Sequence, residues 1–574
     1  MSLLLGLAAA AATVAQSAPA DPLAPLSQAQ AQPPQIILQP PKQGPEATPA
    51  LIVPKDWRGV FAAIRAGDWA GAQAGIDSLP PGILTPVAKA ELYTAKGSPA
   101  VDLPRLQALL VEAPDMPDAD QLARMAIARG ATTPPLVVPR KQTVSLSSAP
   151  RRYRARPVTG EPLADALRAQ LDPLIKSNSA ADAEAAFIAQ APMLSADARA
   201  EAAQRVAWAY YSNGQDFDAR RVADYWRVGA SGEWGSQAAW VSGLASWRLG
   251  DCESASRAFR DVATTATQRE MTAAGYYWTA RAEQACHRPQ NVEALLKAAA
   301  TSQESFYGLV ARETLGTDTR IAPAAPVSTA SVDSLPNVRR ATELAAIGER
   351  SLAEDMLKHE ARIGSPSEEA ALVEVAKRLG LPGAQYWLAT NGQPGARVQA
   401  ADRYPRPAWT PARGWRVDPA LAFAHIVQES NFQSAAVSPA GAVGLMQVLP
   451  GSASDEAAAA GLPYSPAALF DPAYNLEFGQ SFIERMRSSP YTGDQLPKVI
   501  ASYNAGPLPV GRWATIPDKG DPILWIESIP YWETRYYVPA VMRNLWVYEG
   551  LAQHATPSLK AIAQHRWPGF PTAL

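Results

Sequence analysis

Apolar residues recur at intervals of three and four through most of the chain, the spacing of one face of a helix. The stretch WRGVFAAIRAGDWAGAQAGIDSL, which follows Asp56, shows this spacing first. Between residues 163 and 316 the helices come in pairs of about 30–40 residues, in which small residues interleave with bulky aromatic ones. Such hairpins bury their apolar faces only by stacking on one another, so this region is predicted to be an α-superhelical solenoid. No stretch before residue 400 alternates as a strand would, and the predicted fold class is all-α.

Irregular stretches rich in Pro, Ala, Gln or Ser separate the helical regions. QAQAQPPQIILQPPKQGP lies near the start, TTPPLVVPRKQTVSLSSAPRRYRARPVTGEP precedes the solenoid pairs, and IAPAAPVSTASVDSLP follows them. The second stretch is expected to be a solvated loop, with contact to an acidic partner as the alternative for Arg151, Arg152, Arg154 and Arg156. The predicted domains are a signal peptide (1–20), a disordered linker (21–55), an α-superhelical domain (56–320) with an irregular segment at about 132–162, a small helical linker domain (337–400) and a final domain (405–574).

An apolar run at residues 3–14 opens the chain and is too short to span a bilayer. The small residues around its end suit a cleaved secretory signal, so export is expected. One feature does not fit a secretory signal: the first basic residue is Lys42, so no basic segment precedes the apolar run. The alternative is an Ala-rich N-terminal helix. No later stretch has the pattern of a transmembrane helix, and the exported protein is expected to be soluble.

Composition excludes some classes of function. With 52 basic against 54 acidic residues, the chain has no positive excess with which to bind nucleic acid. Hydrophobic residues make up 47% of the sequence, which is enough for large cores. The two cysteines, Cys252 and Cys286, have no metal-ligand spacing around them. They lie one helical-hairpin repeat apart, so they could form a disulfide between adjacent hairpins or be two separate buried thiols.

The most informative stretch is DPALAFAHIVQESNFQSAAVSPAGAVGLMQ, from Asp418 to Gln447. Asp418 is predicted to cap a helix whose first residue is Pro419, and the apolar run after it is predicted to face a core. The run ends in a single carboxylate, Glu429. A carboxylate at the end of an apolar helix is poorly hydrated, so its pKa should rise and it can arrive protonated, as a general acid must.

His425 lies one helical turn before Glu429, and such a pair can ligate a metal. The sequence has only five histidines and offers no third ligand nearby, so we expect no metal and no other cofactor. The remaining interpretations of His425 are a packed side chain and a side chain that tunes the pKa of Glu429.

Four segments resemble, in order, the motifs of the soluble lytic murein transglycosylases, a family with a goose-type-lysozyme-like fold. They are ES at 429–430 with GLMQ at 444–447, LFDP at 469–472 with Asn475 and Gly479, ASYNAGP at 501–507, and IPYWETRYYV at 529–538. The resemblance covers 405–550 closely and the helical region before it more loosely. It implies that 405–574 is a lysozyme-like, α-rich catalytic domain. It further implies a periplasmic enzyme that acts on peptidoglycan glycan strands, with other cell-wall enzymes as potential partners.

The same resemblance implies the reaction. Glu429 would protonate the leaving oxygen between N-acetylmuramic acid and N-acetylglucosamine, then take the proton from the C6 hydroxyl of the same muramyl unit. That hydroxyl closes on C1 and gives a 1,6-anhydro end without net consumption of water. Most glycosidases use two carboxylates, but the sequence near Glu429 supplies no obvious second one. The substrate's own 2-acetamido group can replace it by attacking C1.

Six further residues are assigned to substrate binding through the resemblance: Ser438, Met446, Gln447, Tyr503, Asn504 and Glu533. Ser438 and Gln447 would hydrogen-bond the glycan. Met446 would line the floor of the cleft, and Tyr503 would direct its hydroxyl at Glu429 or at the reacting sugar. A core position for Met446 and a turn-shaping role for Asn504 stay open as alternatives.

Two other functions stay open from the sequence. A hydrolytic muramidase would use water in place of the C6 hydroxyl, and a solenoid scaffold would bind peptidoglycan without cleaving it. The intact Glu429 argues against the scaffold.

Overall fold

Helices account for nearly all of the regular structure in the computed structural model, which describes residues 51–146, 150 and 152–571. The predicted all-α fold class is confirmed, because these residues contain twenty-six α-helices, six short 3₁₀ helices and two strands of two residues each. The predicted signal peptide and most of the predicted linker lie outside the described residues. Within the described part of the chain, no helix has the length and apolar character needed to cross a membrane.

Aspartates cap three of the first five helices. Asp56, Asp68 and Asp102 each accept a hydrogen bond from a backbone N–H in the first turn of the helix that follows. Such a bond satisfies one of the donors that a helix start leaves free, so these short helices begin at defined positions. The five helices are α1 (Trp57–Ala66), α2 (Trp69–Ser78), α3 (Thr85–Thr94), α4 (Leu103–Glu112) and α5 (Ala119–Ala128).

The next nine helices form the predicted run of stacked hairpins. Aromatic side chains from successive hairpins meet in its core, where the rings of Trp240, Phe259 and Trp278 lie 5.3–6.3 Å apart. Gly243 makes room for them, since a Cβ there would lie 2.5 Å from the Phe259 ring. The helices are α6 (Pro162–Lys176), α7 (Ala180–Gln190), α8 (Ala196–Ser212), α9 (Asp216–Trp226), α10 (Glu233–Leu249), α11 (Cys252–Thr265), α12 (Arg269–Ala285), α13 (Val292–Ala300) and α14 (Phe306–Thr314).

A disulfide joins Cys252 to Cys286, with their Cα atoms 5.5 Å apart. Cys252 is the first residue of α11, and Cys286 directly follows the last residue of α12. The bond therefore ties together the two ends of one hairpin. The sequence left a disulfide and two separate thiols open, and the structure has the disulfide.

The helices that follow the superhelix share a hydrophobic core with the first five. Leu106 and Leu110 of α4 lie in one buried cluster with Leu344 and Leu372, while a second cluster joins the superhelix to the C-terminal helices. The predicted domain boundaries stay predictions, but this packing associates α1–α5 with the predicted linker domain. The helices of that region are α15 (Pro336–Ala346), α16 (Arg350–Ile363), α17 (Glu369–Arg378) and α18 (Pro382–Thr390).

Two very short strands cross-link the irregular segment before the superhelix to the linker region. β1 (Val144–Ser145) pairs antiparallel with β2 (Asn391–Gly392). Next to them the backbone N–H of Leu146 donates to the carbonyl of Thr390. Two residues are too few to show an alternating pattern, which is why the sequence predicted no strand here.

The C-terminal part contains eight α-helices, of which the long α25 packs along α19. They are α19 (Pro419–Glu429), α20 (Pro450–Ala460), α21 (Pro472–Arg487), α22 (Leu496–Ala505), α23 (Pro507–Arg512), α24 (Pro522–Glu527), α25 (Trp532–Leu551) and α26 (Pro557–Ala563). Short 3₁₀ helices lie at Ala191–Met193, Pro289–Asn291, Pro366–Glu368, Ala400–Arg403, Pro466–Phe470 and Trp513–Thr515.

The superhelix contacts the C-terminal helices through buried ion pairs and stacked rings. Phe306 of α14 stacks on Trp546 of α25 with ring centroids 5.1 Å apart. Arg152, from the segment before α6, donates through Nη1 to both carboxylate oxygens of Glu527 at 2.6 and 2.9 Å. The expectation of a solvated loop is therefore wrong for Arg152, whose side chain is only 4% exposed, because it has found an acidic partner across the interface.

A buried carboxylate in α17 predicts a pH-dependent stability. Neither oxygen of Glu369 has a hydrogen-bond partner among the residues that the structure describes, and burial raises the pKa of this carboxyl to about 8. Between the ordinary glutamate pKa and about pH 8, the unfolded chain loses this proton and the folded chain keeps it, so stability falls as the pH rises. Glu369→Gln should therefore be more stable than the wild type at about pH 8.5, by roughly 2–4 kcal/mol, and equal to it near pH 4.

Thermal or denaturant unfolding at both pH values tests this. Glu374→Gln is the matched control, because this carboxylate lies on the same helix but is partly exposed and paired with Lys377. Equal stability of Glu369→Gln and the wild type at alkaline pH would show that the carboxylate ionises without cost.

Candidate active site

Helix α19 places Glu429 at its last residue, as the sequence predicted. Asp418 Oδ1 accepts a hydrogen bond of 2.7 Å from the backbone N–H of Ala420, and Pro419 is the first helical residue. The apolar side chains between the two ends are buried. The buried side chains of α19 and its packing against α25 therefore fix the position of the Glu429 carboxylate at the end of the helix.

The carboxyl group of Glu429 is held by one tyrosine. The hydroxyl of Tyr537, on α25, donates to Glu429 Oε1 at 2.5 Å. The pKa of Glu429 is raised to about 7, chiefly by burial; the hydrogen bond from Tyr537 opposes this rise, and the charge of Glu533 contributes to it. A pKa near neutrality lets one group donate a proton and later accept one, which is the property predicted for a general acid.

His425 supports this tyrosine from behind. Its Nδ1 lies 2.8 Å from the Tyr537 hydroxyl, and burial lowers the pKa of the imidazole to about 3, so the ring is neutral. Since the single hydroxyl proton of Tyr537 points at Glu429, the neutral imidazole donates through Nδ1. His425 is thus buried and one step removed from the carboxylate, and its packed and tuning interpretations both stay predictions.

The loop between α19 and α20 is organised by the second motif. Asn475, on α21, donates to the carbonyls of Val443 and Leu469 and accepts a hydrogen bond from the backbone N–H of Met446. Gly444 has a positive φ of 79°, and a Cβ there would lie 2.2 Å from the Asn475 amide. Only glycine at position 444 lets the backbone come this close to the Asn475 amide, so the GLMQ segment and Asn475 form one unit.

Met446 and Tyr503 build the wall behind the site. Met446 is completely buried, and a Cβ on Gly479 would lie 2.2 Å from its sulfur. The prediction that Met446 lines the cleft is therefore corrected to the core position that the sequence had left open. The hydroxyl of Tyr503 donates to the carbonyl of Met446 at 2.7 Å, so the contact with Glu429 expected of it belongs to Tyr537. Its role in substrate binding stays a prediction.

The other predicted residues converge on one cavity of about 560 Å³ around Glu429. Ser438, Gln447, Asn504 and Glu533 line it. Gln447 Nε2 donates to the carbonyls of Gly444 and Ala436, which orients its amide. Asn504 donates to Glu533 and accepts a hydrogen bond from Thr534, so it joins the third motif to the fourth. Their direct roles in binding stay predictions.

The superhelix contributes part of the same cavity, which sequence reasoning missed. Arg152, Tyr153, Glu270 and Phe306 line it together with residues of the C-terminal helices. Glu270 accepts from the backbone N–H groups of Phe306 and Tyr307, and burial raises the pKa of its carboxyl to about 7. No local pattern marks these residues, because their importance comes from an interface between distant segments.

Comparison with known proteins agrees with this geometry. Residues 409–526 match the transglycosylase SLT domain family. A soluble lytic murein transglycosylase of Salmonella typhimurium is 32% identical over 145 residues, which are 25% of this chain and 22% of that protein. The matching segment thus spans about a fifth of the length of this curated relative, and its share of the whole chain is small.

Two solved structures resemble the chain over most of its length. The 70-kDa soluble lytic transglycosylase of Escherichia coli superimposes with a TM-score of 0.57 at 19% identity, covering 90% of this chain and 88% of that one. An inactive mutant of the lytic transglycosylase Slt from Pseudomonas aeruginosa gives a TM-score of 0.54 at 20% identity over 89% and 88%. The chain thus has the superhelical fold of the soluble lytic transglycosylases. Its C-terminal part carries a transglycosylase SLT domain.

Proposed function

We propose that this protein is a periplasmic lytic transglycosylase that cleaves the bond from N-acetylmuramic acid to N-acetylglucosamine in peptidoglycan. The observation that carries the proposal is the partly buried Glu429 carboxyl, which lines a cavity of about 560 Å³, has a pKa of about 7 and accepts a hydrogen bond from Tyr537. The likeness of residues 409–526 to the SLT domain supports the choice of substrate.

In the proposed reaction Glu429 acts twice. The protonated carboxyl first donates to the leaving oxygen, while the 2-acetamido group of the muramyl unit attacks C1. The resulting carboxylate, stabilised by the Tyr537 hydroxyl, then removes the proton from the C6 hydroxyl, whose oxygen bonds to C1 as the bond from C1 to the acetamido oxygen breaks and the neutral 2-acetamido group is restored. The carboxyl ends protonated again, so a 1,6-anhydro product forms without net consumption of water.

A hydrolytic muramidase is the second candidate, and one observation favours it. Glu533 is exposed in the same cavity as Glu429 and influences its pKa, so the structure supplies a second carboxylate that could activate water. In a two-carboxylate hydrolase Glu533→Gln would lose about 100-fold or more of its activity. In the transglycosylase its loss is expected to be about tenfold or less, since Glu533 would only contact substrate and tune Glu429.

A glycan with a blocked C6 hydroxyl tests the proposal. Strands whose muramyl C6 hydroxyl is methylated should stay uncut by the wild type, while unmodified strands are cut. Cleavage of both substrates at similar rates would refute the transglycosylase reaction and favour the muramidase.

Substitutions of Tyr537 and Glu533, the two residues that influence the Glu429 pKa, should shift the pH dependence of kcat/KM in opposite directions. Only the protonated enzyme starts the cycle, so kcat/KM should fall as the pH rises through about 7. Tyr537→Phe removes the hydrogen bond that lowers the Glu429 pKa, so the fall in kcat/KM should occur at higher pH than in the wild type. Glu533→Gln removes the charge that raises the Glu429 pKa, so the fall in kcat/KM should occur at lower pH than in the wild type.

Profiles of kcat/KM against pH for the wild type and both variants measure this. The pH at which kcat/KM falls does not depend on the size of kcat/KM, so a variant with reduced activity is still informative. If the pH at which kcat/KM falls shifts in the same direction in both variants, or shifts in neither variant, the group that titrates is not Glu429.

A further inference from the structure

Arg535, near the start of α25, carries a buried charge into the interface with the superhelix. It is only 4% exposed, and burial lowers the pKa of its guanidinium. Two of the guanidinium nitrogens, Nε and Nη1, have no hydrogen-bond partner among the residues that the structure describes. Glu527, a carboxylate that acts on this charge, is already paired with Arg152. A buried cation in this position needs compensation from another group.

The aromatic ring of Trp208 supplies that compensation. Trp208 lies on α8 of the superhelix, and Arg535 Cζ is 3.6 Å from the centroid of its ring. A cation over the face of a tryptophan is attracted electrostatically, and the attraction is stronger where water is excluded. The rings of Trp532 and Tyr536, one turn apart on α25, lie 5.4 and 5.5 Å from the same atom. Arg535 thus sits in a cage of three rings, and the superhelix provides the closest of the three.

Both ends of α24, the short helix before α25, are held by arginines from the superhelix and the segment before it. Asp521, which caps the start of α24, pairs with Arg281 of α12 at 2.6 Å. Glu527, the last residue of α24, pairs with Arg152. The contact between Trp208 and Arg535 therefore extends this attachment from α24 into the first turn of α25.

The opposite side of this turn reaches the candidate active site. Successive residues of a helix are rotated by about 100°, so Arg535 and Tyr537 point to nearly opposite sides of α25. Tyr537 donates to Glu429, and Glu533, one turn before Tyr537, acts on the same carboxyl group. The first turn of α25 is thus held between the Trp208 ring and the Glu429 carboxyl. Because hydrogen bonds weaken steeply with distance and angle, the contact of Tyr537 with Glu429 depends on where this turn lies.

We propose that Trp208 is a positioning residue for the reaction at Glu429. Acting through Arg535, its ring fixes the first turn of α25 and so keeps the hydroxyl of Tyr537 on the Glu429 carboxylate. Trp208 does not itself line the cavity around Glu429, so its effect on the reaction passes through α25. The proposal rests on the proposed function, because it takes Glu429 as the group that moves the proton.

A double-mutant cycle separates this positioning from a general loss of stability. Trp208→Leu should lower kcat for the cleavage of soluble glycan strands by about tenfold and change KM by less than about twofold. In a Tyr537→Phe background, the same substitution should lower kcat by less than about twofold, since the hydroxyl that it displaces is already absent. Trp208→Phe keeps an aromatic face beneath the guanidinium and should recover most of the wild-type kcat.

Arg535→Ala decides the question if Trp208→Leu does not fold. It removes the buried charge together with its contact to the ring, so no cation is left unpaired in the interface. It should lower kcat as much as is expected for Trp208→Leu, and again by less than about twofold in the Tyr537→Phe background. An equal loss of kcat from Arg535→Ala with and without the Tyr537 hydroxyl would refute the positioning role.

Trp226→Leu is the matched control. Trp226 is a partly buried tryptophan of the adjacent helix α9, where its ring packs edge-on against Phe187 at 5.1 Å. Its variant loses similar packing and should keep the wild-type kcat at temperatures well below its melting point. The positioning role is refuted if Trp208→Leu has the same kcat as Trp226→Leu. If the wild type forms no anhydro ends while the cycle shows the expected coupling, the proposed reaction fails and the positioning role stands.

Discussion

Glu429→Gln is expected to lower the release of soluble fragments from peptidoglycan by about 1,000-fold or more. The amide has nearly the shape of the carboxyl, so the cavity and the contact with Tyr537 keep their geometry. It cannot donate a proton to the leaving oxygen, nor accept one from the C6 hydroxyl, so both proposed steps fail together. The measurement is the rate of fragment release from purified sacculi by the variant and the wild type.

The fold of this variant should be intact. A buried carboxyl with a raised pKa costs stability once it ionises, so above about pH 7 Glu429→Gln should melt no lower than the wild type. Asp455→Asn is a suitable control, since this carboxylate is exposed on α20. Activity of Glu429→Gln close to that of Asp455→Asn would show that another residue moves the proton.

The second large effect is expected at the interface between the superhelix and the C-terminal helices. Glu527 is completely buried, accepts from Arg152 and also accepts from the Tyr307 hydroxyl at 2.6 Å. Glu527→Gln leaves the guanidinium of Arg152 buried without its counter-charge, which typically costs about 3–5 kcal/mol. Because Arg152 also lines the cavity around Glu429, activity should fall with stability.

Thermal unfolding compares this variant with two others. Adding Arg152→Met to Glu527→Gln removes the unpaired charge and should restore part of the lost stability. Glu293→Gln breaks the pair of Glu293 with Lys297, two side chains that are 70% and 66% exposed, and should leave the melting temperature nearly unchanged. If Glu527→Gln melts at the same temperature as Glu293→Gln, the interface does not depend on the pair formed by Arg152 and Glu527.

Helix α19 shows how much the sequence could predict. Its cap at Asp418, its start at Pro419 and its buried run are set by neighbours in sequence, so local rules suffice. The raised pKa of Glu429 follows in the same way, because the run that buries it is contiguous.

The partner of Glu429 could not be found by the same reasoning. Tyr503 and Tyr537 both lie in motifs of the same resemblance, and nothing local says which hydroxyl reaches the carboxylate. The packing of α25 along α19 decides it in favour of Tyr537, 108 residues away, while Tyr503 turns to the carbonyl of Met446.

The contribution of the superhelix was hidden for the same physical reason. The arginine-rich stretch has the composition of a solvated loop, and Arg154 and Arg156 are indeed exposed. Arg152 differs only because its partner, Glu527, lies 375 residues further along the chain. Composition indicates average exposure, but only the folded chain shows which charge is buried against another.

Digestion of purified glycan strands in water enriched in heavy oxygen tests the proposed reaction most directly. Mass spectrometry of the fragments released by the wild type should show 1,6-anhydro ends, one water lighter than reducing ends and free of label, and these fragments should be absent with Glu429→Gln. Labelled reducing ends whose formation depends on Glu429 would contradict non-hydrolytic cleavage and identify the protein as a muramidase.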